Sequence, residues 1–96
     1  MPKLSIVARL KAREDALDIV KGELLKLVAP TRKEEGCIVY THHRDDDNPS
    51  VFVFYEIWES EEHLVKHTRG DHFINCFSRI EKLIEEQNIY KLTALS

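Results

Sequence analysis

The chain has 96 residues, 43% of them apolar and 32% charged, with a net charge of −3. This is the composition of one small globular domain with a modest core. The slightly acidic balance offers no footing for nucleic acid or an anionic membrane, and no segment approaches the roughly 18 apolar residues of a membrane span.

Cys37 and Cys76 are too few for a disulfide framework. The opening MPKLSIVARLKARED carries Lys3, Arg9 and Lys11 where a signal peptide needs an unbroken apolar run. The expectation is a reducing, cytoplasmic location and a single domain over residues 1–96.

Residues 3–10, KLSIVARL, alternate Leu4, Ile6, Ala8 and Leu10 against Ser5, Val7 and Arg9, which predicts a strand with both faces partly buried. From Glu14 the period lengthens. Leu17, Val20, Leu24, Leu27 and Val28 recur at helical steps, Glu14 and Asp15 suit the positive helix start, and Pro30 limits the far end. Gly36 then opens CIVYTHHR, and the turn-forming DDDNPS separates it from VFVFYEIW, so the two strands should pair as an antiparallel hairpin. Ser60 is a good N-cap for a short helix that stops at Gly70, and Asp71 can cap a longer one bearing Phe73, Phe77, Ile80 and Ile84. NIYKLTAL supplies a fourth strand.

The order β-α-β-β-α-β is that of the ferredoxin-like α+β arrangement, a four-stranded antiparallel sheet with its helices on one face. The third strand is apolar on both sides, with Val51, Val53, Tyr55 and Ile57 opposite Phe52, Phe54 and Trp58. A water-facing sheet side should be more polar, so a homodimer formed through the sheet is expected.

The segment GCIVYTHHRDDDNPSVFVFYEIWESEEHLVKHTRGDHF resembles the signature region of the antibiotic biosynthesis monooxygenase (ABM) family. That pattern runs from a glycine turn and strand through a polar D/N-P loop to F-x-x-x-E-x-W-E-S-x-x-x-L-x-x-H and a helix opening with His-Phe. The likeness spans nearly the whole chain in element order, with its specific part at residues 36–77. It implies a dimeric α+β barrel whose protomers each hold a pocket between sheet and helices. It also implies several chemistries: cofactor-independent oxidation of phenols and hydroquinones, haem degradation, or isomerisation of a phosphorylated sugar-like signal. The fold does not choose among them. At the positions where haem-degrading members carry asparagine, tryptophan and a histidine ligand, this chain has Ala8, His67 and Phe77, which argues against haem. The W-E-S wording at Trp58 to Ser60 favours the oxygenase branch, although His67, His72 and Cys76 also fit the isomerase.

Trp58 shares a strand face with Glu56, Phe54 and Phe52 and serves either as a core aromatic or as a wall that stacks on a substrate ring. Phe54 and Phe73 join it as expected substrate-binding residues. Glu56 lies among aromatics, so its carboxyl needs a partner; a histidine or arginine is the natural one, and Glu56 either braces the fold or orients a catalytic histidine. His72, just after Asp71 at the start of the long helix, should stay neutral beside the positive helix end and so able to accept a proton. His67 is the alternative base or a substrate hydrogen-bonder.

His63 and His67 have the four-residue spacing of a chelating pair, but no carboxylate shares it and His63 falls among first-turn glutamates, so no metal site is expected. His42 and His43 point to opposite sheet faces. Both cysteines are expected to be buried small residues, and RDDDN a solvated turn. The leading expectation is a small homodimeric monooxygenase that oxidises an electron-rich phenol or hydroquinone with molecular oxygen and no cofactor. His72 or His67 would be its base, Glu56 the orienting group and Trp58 the ring-holder. Two rivals remain: a proton-moving isomerase acting on a phosphorylated carbonyl compound bound by Lys66, Arg69 or Arg44, and a non-catalytic ligand-binding dimer.

Overall fold

The computed structural model describes residues 3–96. Its elements are β1 (Leu4–Ala12), α1 (Leu17–Lys26), α2 (Val28–Arg32), β2 (Cys37–Arg44), β3 (Val51–Trp58), α3 (Glu61–Thr68), α4 (Asp71–Ile80) and β4 (Ile84–Leu92), with single 3-10 turns at Glu14–Ala16 and Glu81–Leu83. The strands form one antiparallel sheet in the order β2-β3-β1-β4, the ferredoxin-like α+β fold read from the sequence.

Register follows from alternation. Ile6 pairs with Glu56, Ala8 with Phe54 and Leu10 with Phe52, so these side chains share the helix-facing side with Tyr40. Helix α1 covers them with Val20 and Leu24, both fully buried, and α4 adds Cys76 and Ile80 four residues apart. Phe52 and Trp58 are fully buried as well, each contributing about 1.5–3 kcal/mol of apolar transfer free energy.

Four boundaries differ from the sequence reading. Strand β1 runs two residues further, to Ala12, because the Ala12 N–H bonds the Ser50 carbonyl at 2.8 Å. The first helix breaks after Lys26, and Pro30 lies inside α2 rather than at an end; as the third residue of α2 it occupies a position whose N–H has no partner within that helix. Gly70 is the N-cap of α4, Asp71 its first residue and His72 its second. Strand β4 begins at Ile84, well before Asn88, so Ile84 opens a strand instead of closing a helix. A bulge there sets Ala12 against Ile84 while Lys11 pairs with Glu86.

The other sheet side carries Val7, Val39, Val53, Tyr55, Ile57 and Tyr90, with Tyr55 and Tyr90 41% and 52% exposed. No helix among the described residues is long and apolar enough to cross a membrane.

Candidate active site

A cavity of about 270 Å³ lies between the helix-facing side of the sheet and helices α3 and α4. Its walls are mainly apolar, from Ile6, Ala8, Leu10, Phe54, Phe73 and Phe77; its polar groups come from Tyr40, Glu56, His67, Thr68, Gln87 and Lys91. A cavity of about 150 Å³ suffices for benzene, so this one suits a substituted ring of one or two cycles. Ala8, His67 and Phe77, the three positions that depart from the haem-degrading pattern, all line it.

His67 sits in the last turn of α3 and is 1% exposed. Its ring is wedged among Trp58, Phe73 and Tyr40, with centroids 4.9, 5.0 and 5.4 Å away. Nδ1 donates to Glu34, 3.0 Å from Oε2 and 3.2 Å from Oε1. A carboxylate only accepts, so the Nδ1 proton is fixed, and Nε2, which has no hydrogen-bond partner among the described residues, keeps its lone pair. Burial holds the ring below the ordinary histidine range; the Glu34 hydrogen bond and charge oppose it.

His72 does not line the cavity. Its side chain is one-third exposed and Nε2 donates to the same Glu34 Oε2 at 2.6 Å. Glu34 thus joins the two histidines on which the sequence reading settled, and Glu34 itself did not figure in that reading. The only sequence sign was the glycine two residues on. Gly36 has φ +83°, a left-handed conformation that favours glycine, and a Cβ there would collide with the His63 ring. The loop therefore presses against α3, tied down by the Glu59 N–H to Gly36 carbonyl bond of 2.8 Å. Glu35 lies 3.4 Å from His63 Nε2 while Glu34 takes His67, so the four-residue histidine spacing meets two successive carboxylates. Ser60 caps α3 as expected, and its Oγ is also 2.8 Å from His63 Nδ1, which makes His63 a docking residue rather than a free surface one.

Glu56 finds a different partner from the one expected. It is buried and accepts from Trp58 Nε1 at 2.9 Å, without a histidine or arginine. Burial raises its pKa, the indole bond partly offsets this, and the Glu34 charge adds to the rise. Trp58, fully buried behind Glu56 and His67, contributes no cavity wall; Phe54 and Phe73 do. Lys66, Arg69 and Arg44 lie outside the lining, and the cation that reaches the cavity is Lys91, held 2.7 Å from Glu61. Burial raises both thiols, Cys76 to about 11, so neither is a ready nucleophile.

A ferredoxin-like sheet enclosing an aromatic-walled cavity with one buried, carboxylate-tied histidine defines a small α+β pocket protein. The antibiotic biosynthesis monooxygenase family model matches residues 4–79, and the chain belongs to that family. The structure is similar to PA3566 from Pseudomonas aeruginosa, with a TM-score of 0.94, 32% identity and coverage of 100% of this chain and 97% of that one. It is also similar to a crystal structure described as antibiotic biosynthesis monooxygenase, with a TM-score of 0.92, 28% identity and coverage of 97% and 99%. Rv0793 of Mycobacterium tuberculosis is 27% identical over 81 residues, 84% of this chain and 79% of that protein. The solved structure of Rv0793 superposes with a TM-score of 0.91 at 25% identity, covering 98% and 96%.

Proposed function

We propose that this protein is a homodimeric monooxygenase that oxidises an electron-rich phenol or hydroquinone with molecular oxygen, using His67 Nε2 as its base. The observation that carries this reading is the tautomer of His67. Glu34 holds the proton on Nδ1, so Nε2 keeps its lone pair on a ring that lines the cavity and is packed by three aromatics, while Glu34 itself stays outside the lining.

The steps balance as follows. The phenol O–H proton passes to Nε2, and Glu34 stabilises the resulting imidazolium. The phenolate gives one electron to oxygen, the radical pair joins in a C–O bond, and the imidazolium returns its proton to make a ring hydroperoxide. The base then takes the hydrogen from that ring carbon while the O–O bond breaks. One oxygen stays as the quinone carbonyl and the other leaves as water. Glu56 offers a polar carboxyl group to the bound substrate, and Phe54 and Phe73 hold the ring. His72 acts through Glu34, as a positioning residue. The uncovered apolar sheet side supports a dimer formed through it.

The test is oxygen uptake by purified protein on a panel of hydroquinones and phenols, with product identification. Stoichiometric oxygen consumption that is lost in His67→Asn is expected. Turnover that continues without oxygen would move the protein to the isomerase reading, and no turnover of any phenol would sink the oxygenase.

A further inference from the structure

We propose that Glu34, His67 and His72 form a binding site for one divalent transition-metal ion, zinc being the best fit, and that the bound ion switches the cavity base off. Each residue offers one donor atom, and the three atoms lie within 4.8 Å of one another. They arrive from three places: the loop after α2, the last turn of α3 and the first turn of α4.

Two imidazole nitrogens and one carboxylate oxygen select a borderline metal such as zinc over magnesium or calcium, which take oxygen donors. Tetrahedral zinc with bonds of about 2.1 Å sets its donors roughly 3.4 Å apart. The Glu34 to His67 separation of 3.0 Å is near that; the 2.6 Å Glu34 to His72 pair must open by about 0.8 Å and the two histidine nitrogens, within 4.8 Å of each other, must draw to the same spacing, a rotation that a one-third-exposed His72 side chain can supply. His67 stands at the carbonyl end of α3, the end of a helix that favours a cation. The Gly36 turn and the Glu35 to His63 contact already fix the carboxylate-bearing loop, and water on the His72 side can complete the coordination.

The ion would sit on Nδ1 of His67, beside Glu34, which does not line the cavity. A neutral imidazole bound through Nδ1 carries its proton on Nε2, so the proton that Glu34 now holds on Nδ1 moves across the ring. The cavity then faces an N–H donor instead of a lone pair. The binding half of this inference stands on geometry alone; the inhibitory half rests on His67 as the base of the proposed oxidation.

The experiment titrates chelator-stripped full-length protein with zinc sulfate by calorimetry and follows thermal unfolding with zinc or magnesium. Saturable binding of one ion per chain and a Tm rise of several degrees with zinc and none with magnesium are expected. Both responses should be lost in His72→Asn and in Glu34→Gln and kept in His63→Asn. No saturable binding, or binding that survives both His72→Asn and Glu34→Gln, overturns the site. Oxidation assayed in parallel should fall with zinc and return with chelator. Zinc binding that leaves the oxidation rate unchanged keeps the metal site and overturns His67 Nε2 as the base.

Discussion

The Nδ1 of His67 and the Oε2 of Glu34 lie 3.0 Å apart, although 33 residues of chain separate them. The pair fixes which ring nitrogen serves the cavity, and it makes the two residues separable by mutation. His67→Asn should lower kcat by about 100- to 10,000-fold, the range for removing a general base. Glu34→Gln keeps an acceptor for Nδ1 but removes the charge that stabilises the imidazolium, so kcat should fall while KM changes little. His72→Asn should cost less than either. Steady-state oxygen uptake measures all three, and a His72 effect larger than that of His67 would reverse their roles.

Gly36→Ala should be more damaging than its position in a partly buried loop suggests. It meets a left-handed backbone and the His63 ring together, and strain of this kind costs about 1–3 kcal/mol. Adding His63→Ala should recover the ring's share of the steric part and leave the backbone part together with the contact to the His63 Cβ, 2.7 Å from the added methyl. Urea unfolding of the two single variants and the double variant separates the contributions, and full recovery in the double variant would show that φ carries none of the cost.

His42 gives the protein an acid-sensitive element away from the cavity. Its ring stacks on Phe52 and lies 4.6 Å from Phe54, and neither ring nitrogen has a hydrogen-bond partner among the described residues. Burial first, and then the charges of His43, Arg44 and Lys21, push its pKa down to about 4. The unfolded chain, titrating near 6.5, therefore binds a proton sooner than the folded one, so this contribution is complete above about pH 6.5 and is lost as pH falls towards 4. The loss is on the order of 1–3 kcal/mol. His42→Leu should flatten the stability profile between those values and gain relative to wild type as pH falls. Chemical denaturation at several pH values checks this, and parallel wild-type and variant profiles would refute it.

Tyr55 lies in the middle of the uncovered sheet side, paired with Val7 and Thr41. If the dimer forms there, Tyr55→Glu places a charge near the centre of the interface and should give monomers by light scattering at micromolar concentration, with secondary structure retained. A dimer that persists would place the interface elsewhere.

Much of this was legible in the chain because strand alternation and helical spacing report directly on burial: Ile6, Leu10, Phe52, Phe54 and Trp58 point inward as their period requires. The cavity residues His67, Phe54, Phe73 and Glu56 were readable for the same reason, with the family's wording behind them. Glu34 was not. Periodicity says nothing about a carboxylate in a loop, and its role depends on how closely that loop approaches α3, which only the Gly36 conformation hinted at. Nor did strand position reveal that Trp58 sits behind the cavity: the two-residue period assigns a face, and depth depends on what packs over it.

Strand β4 has a bulge at its start and alternates along the rest. Gln87, Ile89 and Lys91 form one wall of the cavity, while Tyr90 and Leu92 emerge on the open side of the sheet, each paired to β1 in fixed register. A slip of one residue would exchange the two sets, sending Tyr90 into the cavity and Ile89 out of it. The single ladder between β1 and β4 thus sets the cavity wall and the open sheet side together, and neither surface of that strand can be redesigned or drift in evolution without consequences for the other.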